Sequence, residues 1–210
     1  MKGRRNPFVA QEGLPLLLLA AAVIGIALRY AQPWAVVFGA VLLLFLYMLF
    51  RDPHRVVPAA PLGVVSPVDG KIVCVDQIER GRSQGTVLRI RIRIDLFGTY
   101  TARCPVEGKI KDPRSIAADG SAAGAGNSLW VQTDEGDDVL LQFNGYRLGL
   151  APRALRDYGE RLGQGERCAY LRLTRFAEVL LPVTGQVLVH PGQIVVAGAD
   201  LIAQLPRPRV

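Results

Sequence analysis

Hydrophobic and polar positions divide the chain into an apolar start and a β-patterned remainder. Residues 14–28 and 34–50 are almost continuously apolar, and residues 29–33 form a short break between them. Runs of this length and composition predict two helices of a membrane hairpin, and Pro33 in the break ends any continuous helix. We therefore expect a membrane anchor over 1–51, with helices at about 14–28 and 34–50, and a β-rich domain over 52–210.

The charges that flank the two apolar runs predict how the hairpin is oriented. Positive charges stand outside the two runs, with one arginine between them: Lys2, Arg4, Arg5, then Arg29, then Arg51 and Arg55. Because positively charged flanks favour the cytoplasmic side, we expect an inner-membrane protein with a cytoplasmic large domain. A cleaved signal peptide and a buried hairpin of a soluble protein are the alternatives. The second apolar run, without a small-x-small cleavage pattern before it, argues against a signal peptide.

From residue 64 onward, short apolar segments separated by Gly, Asp or Pro predict β-strands. The plainest is 87–94, where apolar residues alternate with Arg89, Arg91 and Arg93. This period of two predicts one buried face and one basic face. The basic face is either solvated or turned toward anionic lipid, so the three arginines are candidate lipid-binding residues. Further predicted strands are 71–75, 129–132, 139–143, 169–173, 178–181, 186–189 and 193–196.

A six-residue motif occurs three times, at 67–72 (PVDGKI), 105–110 (PVEGKI) and 182–187 (PVTGQV). Each copy predicts the end of a strand, a turn in which Gly adopts a positive φ, and the start of another strand. The resulting fold class is mainly β: a β-sandwich or barrel-like domain with barrel-sandwich-type hairpins, preceded by an N-terminal helical transmembrane hairpin. The small residues of 117–127 predict a loop.

Composition narrows the partners and the chemistry. The net charge of +7 comes mostly from arginine, and a basic protein at a bilayer favours anionic phospholipid as its partner. No aromatic-plus-basic nucleic-acid motif is visible. Three cysteines without a C-x-x-C pair, and two histidines, argue against a metal site or a disulfide framework and favour buried thiols. A homo-oligomer is compatible with the sequence.

Four motifs in order resemble the phosphatidylserine decarboxylase family in its short bacterial and archaeal form. They are residues 50–55 (FRDPHR), 66–72 (SPVDGKI), 103–108 (RCPVEG) and the segment 165–182. The resemblance implies a membrane-anchored enzyme of phospholipid metabolism that converts phosphatidylserine to phosphatidylethanolamine and carbon dioxide. In that family a serine attacks the preceding glycine carbonyl, the chain is cleaved, and the resulting pyruvoyl group serves as the electron sink.

The resemblance also implies positions for the site residues. The family aspartate falls on Asp69, the histidine base on Tyr100, and the Gly-Ser processing pair on Thr174 and Arg175. A tyrosine, with a pKa of about 10, is a poor general base at neutral pH. A one-residue slip of the alignment would place Leu173 and Thr174 at the processing pair instead. A threonine nucleophile would then leave a 2-oxobutanoyl group instead of a pyruvoyl group.

Two functions follow from these positions. The chain is a decarboxylase with altered residues, or a non-catalytic relative that binds anionic lipid or a partner protein. The single Gly-Ser pair, Gly120-Ser121, lies in the predicted loop far upstream of the processing position. We expect no self-cleavage and no pyruvoyl group in this chain.

Overall fold

The structure is a computed structural model that describes residues 8–30, 33–79, 85–112, 127–146 and 149–206. The chain forms two compact units. One contains Met1–His54 and Phe97–Tyr100, and the other contains Arg55–Leu96 and Thr101–Val210. The loop predicted at 117–127, with its Gly120-Ser121 pair, lies outside the described residues except for Asn127.

The first unit is helical. A 3-10 helix, Gln11–Gly13, leads into α1, Leu14–Arg29, and α2 covers Pro33–Phe50. Gly39 of α2 lies so close to Ile24 that an added Cβ would be 2.6 Å from its side chain, so glycine permits the close approach of the two helices. Most of the large apolar side chains on both helices are exposed. By length and composition, both helices are apolar enough to cross a membrane.

The second unit is built from antiparallel β-strands. They are β1 Gly63–Val65, β2 Gly70–Glu79, β3 Thr86–Ile94, β4 Thr101–Arg103, β5 Gly108–Lys111, β6 Ser128–Gln132, β7 Asp138–Asn144, β8 Arg153–Ala154, β9 Arg161–Leu162, β10 Arg167–Tyr170, β11 Phe176–Pro182, β12 Gln186–Val187, β13 Ile194–Val195 and β14 Leu201–Gln204. The largest sheet has the order β13-β2-β3-β11-β7-β6-β5-β9. Two smaller sheets have the orders β4-β10-β8 and β1-β14-β12. The fold is mainly β and sandwich-like, and the described strands form open sheets.

The two faces of β3 differ as the alternation predicts. Ile90 and Ile92 are fully buried in the main core, together with residues of the neighbouring strand β11. Arg89 and Arg91 are half-buried on the opposite face, and Arg93 is exposed. Period two therefore identified both the strand and its core face, because side chains of a strand alternate between the two sides of the sheet.

Five of the eight predicted strands lie inside longer observed ones. The predictions of 186–189 and 193–196 are too long, because β12 and β13 have only two residues each, and the prediction of 169–173 is wrong at its end. The strand β10 stops at Tyr170. Arg172 has a φ of 51°, in the left-handed region that extended backbone does not occupy. The chain therefore turns over residues 171–175 before β11 begins.

The first two copies of the repeated motif mark an internal duplication. We call residues 66–72 the first turn and 104–110 the second turn. The two turns bond each other reciprocally: the Val65 N–H donates to the Pro105 carbonyl (2.9 Å), and the Arg103 N–H donates to the Pro67 carbonyl (2.8 Å). The last strand residue before each turn is thus hydrogen-bonded to the other turn.

The ends of the two turns are matched as well. The Ile72 carbonyl accepts the Gly192 N–H (2.8 Å), and the Ile110 carbonyl accepts the Gly159 N–H (3.0 Å). The same backbone bonds therefore recur around both turns, as expected of two related halves of the β unit.

Gly70 and Gly108 are required in the two turns for a different physical reason from the one predicted. Neither Gly70 nor Gly108 has a positive φ, so that prediction is wrong. An added Cβ would lie 2.1 Å from the Arg93 carbonyl oxygen at Gly70 and 2.2 Å from the Gln132 carbonyl oxygen at Gly108. Glycine is required because a neighbouring strand passes too close for any side chain.

Candidate functional site

Asp69 lies in the first turn, immediately before β2, and its side chain is 13% exposed. The Oδ2 atom accepts a hydrogen bond from Arg55 Nη2 (3.1 Å), and Oδ1 accepts one from the Ala197 N–H (2.7 Å). The carboxylate thus joins three segments that are distant in the sequence. Its charge is balanced by a guanidinium and an amide, as in a structural link.

Thr174 lies in the turn between β10 and β11 and is 7% exposed. Its hydroxyl donates to the Leu171 carbonyl oxygen (2.5 Å), and its N–H donates to the same oxygen (3.1 Å). Both donors of Thr174 therefore close the local turn. The hydroxyl is directed at a carbonyl three residues back rather than at the carbonyl of Leu173, which precedes it.

The end of β3 brings Asp69 and the Thr174-Arg175 pair to the same end of the strands in the large sheet. The Asp95 N–H donates to the Asp69 carbonyl (2.9 Å), and the Ile94 N–H donates to the Arg175 carbonyl (2.8 Å). Asp69 and Arg175 thus lie on opposite sides of one strand, about 10 Å apart by the usual strand spacing. The structure gathers these predicted positions even though they are far apart in the chain.

Tyr100 belongs to the helical unit, whereas Asp69 and Thr174 belong to the β unit. The Tyr100 ring packs on Phe50 at the end of α2, with ring centroids 4.7 Å apart. Its hydroxyl donates to Glu12 Oε2 (3.1 Å), ahead of α1. Tyr100, which the sequence resemblance assigns to the histidine position, is therefore fixed to the two ends of the helical hairpin.

Two of the three candidate lipid-binding arginines have carboxylate partners on the sheet. Arg89 makes two hydrogen bonds to Asp76 (2.9 and 2.5 Å), and the hydrogen bond from Arg89 lowers the pKa of that carboxyl. Arg91 forms an ion pair with the buried Glu178 (3.2 Å). Arg93 is exposed at the end of the row. The positive charge available on this face is therefore smaller than its sequence suggests.

Two of the three cysteines are buried in the core, and the third, Cys74, is half-buried. The Cys104 Sγ donates to the Val106 carbonyl (3.1 Å). Burial raises the pKa of the Cys104 thiol to about 12 and also raises the pKa of Cys168 well above its ordinary value. Both thiols are therefore protonated at neutral pH and are poor nucleophiles. The expected buried thiols are found at these two positions.

Sequence reasoning missed the partners of Asp69. Arg55 belongs to the FRDPHR motif, so a signal for it was present, but nothing in the spacing shows that it pairs with Asp69. The amide of Ala197 carries no side-chain signal at all. Glu12 was missed because its partner Tyr100 is 88 positions away.

Comparison with known proteins identifies the family, although no family model matches the sequence. The phosphatidylserine decarboxylase proenzyme of Symbiobacterium thermophilum is 34% identical, over 99% of this chain and all of that protein. The proenzyme of Nitrosomonas europaea is 31% identical, over 95% of this chain and 96% of its own length. The chain belongs to the phosphatidylserine decarboxylase family. Four sequence motifs had indicated this membership, and the alignments extend it to nearly the full chain.

A solved structure gives a weaker likeness. The glucose permease IIA from Mycoplasma capricolum is 17% identical and has a TM-score of 0.47, covering 68% of this chain and 94% of that one. Such a score is too low to assign a shared fold. The family assignment depends on the sequence relatives alone.

The pyruvoyl group of the phosphatidylserine decarboxylase family does not fit Thr174 and Arg175, the residues that the sequence resemblance assigns to processing. Its formation needs a hydroxyl that attacks the carbonyl of the preceding residue. Arg175 has no hydroxyl, and the Thr174 hydroxyl is bonded to the Leu171 carbonyl oxygen. The Arg175 carbonyl, in turn, is held by the Ile94 N–H. The Thr174 hydroxyl and the Arg175 carbonyl are therefore both occupied by hydrogen bonds that hold the turn and the neighbouring strand in place.

Proposed function

We propose that this chain is a membrane-anchored, phospholipid-binding member of the phosphatidylserine decarboxylase family that does not cleave itself and forms no pyruvoyl group. The observation that carries the proposal is the turn at residues 171–175. The aligned positions hold Thr174 and Arg175 instead of Gly and Ser, and the Thr174 hydroxyl donates to the Leu171 carbonyl oxygen. Without an electrophilic group, the scaffold has no electron sink for decarboxylation.

The retained aspartate supports the same interpretation. Asp69 accepts hydrogen bonds from Arg55 and from the backbone of Ala197, so its presence is explained by folding. The base position holds Tyr100, which donates to Glu12. A tyrosine that donates to a carboxylate acts as a hydrogen-bond donor at neutral pH, and it is unsuited to accept a proton from a serine.

The proposed ligand is an anionic phospholipid of the inner membrane, met by a cytoplasmic domain. Two apolar helices provide the anchor, and the flanking Lys and Arg residues favour a cytoplasmic position for both ends. Near an anionic surface each available basic residue contributes about 1 kcal/mol of attraction. Arg93 is the exposed member of the β3 row and is the first candidate for this contact.

The activity part of the proposal is tested with the full chain purified in detergent. Incubation with radiolabelled phosphatidylserine should release no carbon dioxide, and a hydrazide probe for carbonyl groups should not label the protein. The Symbiobacterium thermophilum relative, prepared in the same way, is the positive control. Release of carbon dioxide by this chain would restore the decarboxylase interpretation.

The binding part is tested by native mass spectrometry of the full chain released from detergent micelles. We expect adducts with phosphatidylserine and phosphatidylglycerol, and fewer adducts with phosphatidylcholine. Arg93→Ala should reduce the anionic adducts, whereas Arg156→Ala, which removes an i,i+4 partner of Glu160, is the matched control. Equal binding of all three lipids would contradict selectivity for anionic lipid.

A further inference from the structure

A short segment between the β-strands packs along a membrane-type helix. Within the helical unit, the Phe97 ring lies edge-on to the Phe45 ring of α2, with centroids 6.3 Å apart and an interplanar angle of 83°. Phe97 nevertheless stays 48% exposed, and Leu96 before it is also 48% exposed. Phe97 thus presents an exposed apolar ring next to α2, and the apolar Leu96 directly precedes it in the chain.

The position of Phe45 in α2 sets the depth of this contact. The 18 residues of α2 span about 27 Å, slightly less than the ~30 Å of bilayer hydrocarbon. A helix with no spare length must lie within the hydrocarbon over nearly all of its residues. Phe45 is five residues before Phe50 at the helix end, which places it about 7.5 Å inside. A ring in contact with Phe45 therefore reaches the lipid.

Polar contacts follow directly after the apolar tip. The Thr99 hydroxyl donates to Asp52 Oδ1 (3.1 Å), two residues beyond the end of α2. The Tyr100 hydroxyl donates to Glu12 Oε2, two residues before α1. Both bonds join groups that flank the helix ends, where water and headgroups meet the hydrocarbon. The segment 97–100 therefore has an apolar residue at the depth of Phe45, and its polar residues lie at the boundary between hydrocarbon and water.

The second half of the β unit contains a matched turn of opposite character. In the first half Lys71 pairs with Arg93, shortly before the tip formed by Leu96 and Phe97. In the second half Lys109 pairs with Gln132, and the tip that follows is formed by the exposed residues Asp134 and Glu135. Charged carboxylates are unfavourable in hydrocarbon. Only the tip in the first half has the composition of a lipid contact.

We infer that the tip formed by Leu96 and Phe97 inserts into the hydrocarbon of the bilayer beside α2, and that it contacts phospholipid acyl chains. This inference rests on the proposed membrane anchor. It adds a third point of attachment to the two helices. It also places the residue at the family's histidine position, Tyr100, at the boundary between lipid and water.

Fluorescence quenching by brominated lipid tests the insertion. The native tryptophans are first replaced by Trp34→Phe and Trp130→Phe, and Phe97→Trp then introduces the reporter in the full-length protein. The protein is reconstituted in vesicles of phosphatidylcholine and phosphatidylglycerol, with or without phosphatidylcholine brominated near the carbonyl end of its acyl chains. We expect strong quenching and a blue-shifted emission at position 97. Leu96→Trp, which leaves the Phe45 contact intact, should give the same result.

Two reference positions make the outcomes distinguishable. Phe38→Trp, on the exposed side of α2, reports the anchor itself, and Glu135→Trp places the reporter on the matched turn. Quenching at 38, 96 and 97, without quenching at 135, supports the inference. Quenching at 38 alone overturns the inference and leaves the membrane anchor standing. Absence of quenching at position 38 overturns the anchor, and the inference with it.

Discussion

The first and second turns have nearly the same sequence and the same backbone bonds, but different side-chain environments. In the first turn the Ser66 hydroxyl donates to the Val68 carbonyl (2.8 Å); in the second, the Cys104 thiol donates to the Val106 carbonyl (3.1 Å). The acidic residues that follow are Asp69 and Glu107. Asp69 is 13% exposed, whereas Glu107 is 61% exposed and pairs only with the exposed Arg161 among its described contacts.

This difference separates what the fold requires from what the chemistry of the family requires. Both turns need a small hydrogen-bond donor at the start and glycine at the close approach of a strand. The acidic side chain is structural in the first turn, where it links Arg55 and Ala197, and peripheral in the second. The contacts of Asp69 therefore account for this residue through folding alone, whether or not it takes part in catalysis.

The largest predicted effect concerns the glycines that the two turns share. Gly70→Ala and Gly108→Ala each place a Cβ about 2 Å from a strand carbonyl oxygen, so one strand must shift. We expect each substitution to lower the free energy of unfolding by about 3 kcal/mol, measured by denaturant titration in detergent. Gly185→Ala, in the third copy of the motif, has its nearest atom at 3.2 Å and should cost less. Full stability of either of the first two variants would contradict the shared backbone requirement.

The next effect should distinguish the two turns. Asp69→Ala removes the acceptor for Arg55 and for the buried Ala197 amide, and should lower the free energy of unfolding by about 2 kcal/mol. Asp69→Asn, which can still accept from the amide, should cost less. Glu107→Ala should show no measurable change, because both members of its ion pair are exposed. Equal effects of Asp69→Ala and Glu107→Ala would remove the distinction.

A further effect appears only at high pH. The pKa of Cys104 is raised by burial from 9.0 to about 12, so between these values the folded protein keeps a proton that the unfolded chain has lost. The unfolded state binds fewer protons, and stability therefore falls as the pH rises, by about 1.4 kcal/mol per pH unit for this group.

Cys104→Ser tests this pH dependence of stability. The substitution introduces serine, which the first turn has at the matching position, Ser66. It can keep the hydrogen bond to Val106 and removes the titrating thiol, so the stability profile above pH 9 should become flatter. Cys74→Ala, which removes the half-buried thiol, is the control variant. A profile that Cys104→Ser leaves unchanged would show that this thiol does not titrate differently in the two states.

Local patterns predicted the parts of the fold that are locally determined. The alternation of Ile and Arg identified β3, since one strand carries the whole signal. Short strands such as β1 and β14 were not predicted. They are only three and four residues long and exist because they pair with each other across most of the chain. The turn after β10 was missed because Arg172 adopts a positive φ, a conformation that its side chain does not predict.

The candidate site was predictable as a set of positions, but not as a set of contacts. The motifs pointed to Asp69 and to Thr174-Arg175, and the sheet places these at the two sides of the end of β3. The sequence could not show that Asp69 pairs with Arg55 or that the Thr174 hydroxyl closes its own turn. These pairings are products of tertiary structure, and they explain why a retained motif residue need not be catalytic.

Intact mass spectrometry of the purified full-length protein tests the central claim most directly. The claim is that the family scaffold is retained without self-processing. We predict a single species near 22.8 kDa with no 2-oxoacyl group. Two fragments divided near residue 174, the smaller one blocked by such a group, would contradict the account, and so would division at Gly120-Ser121.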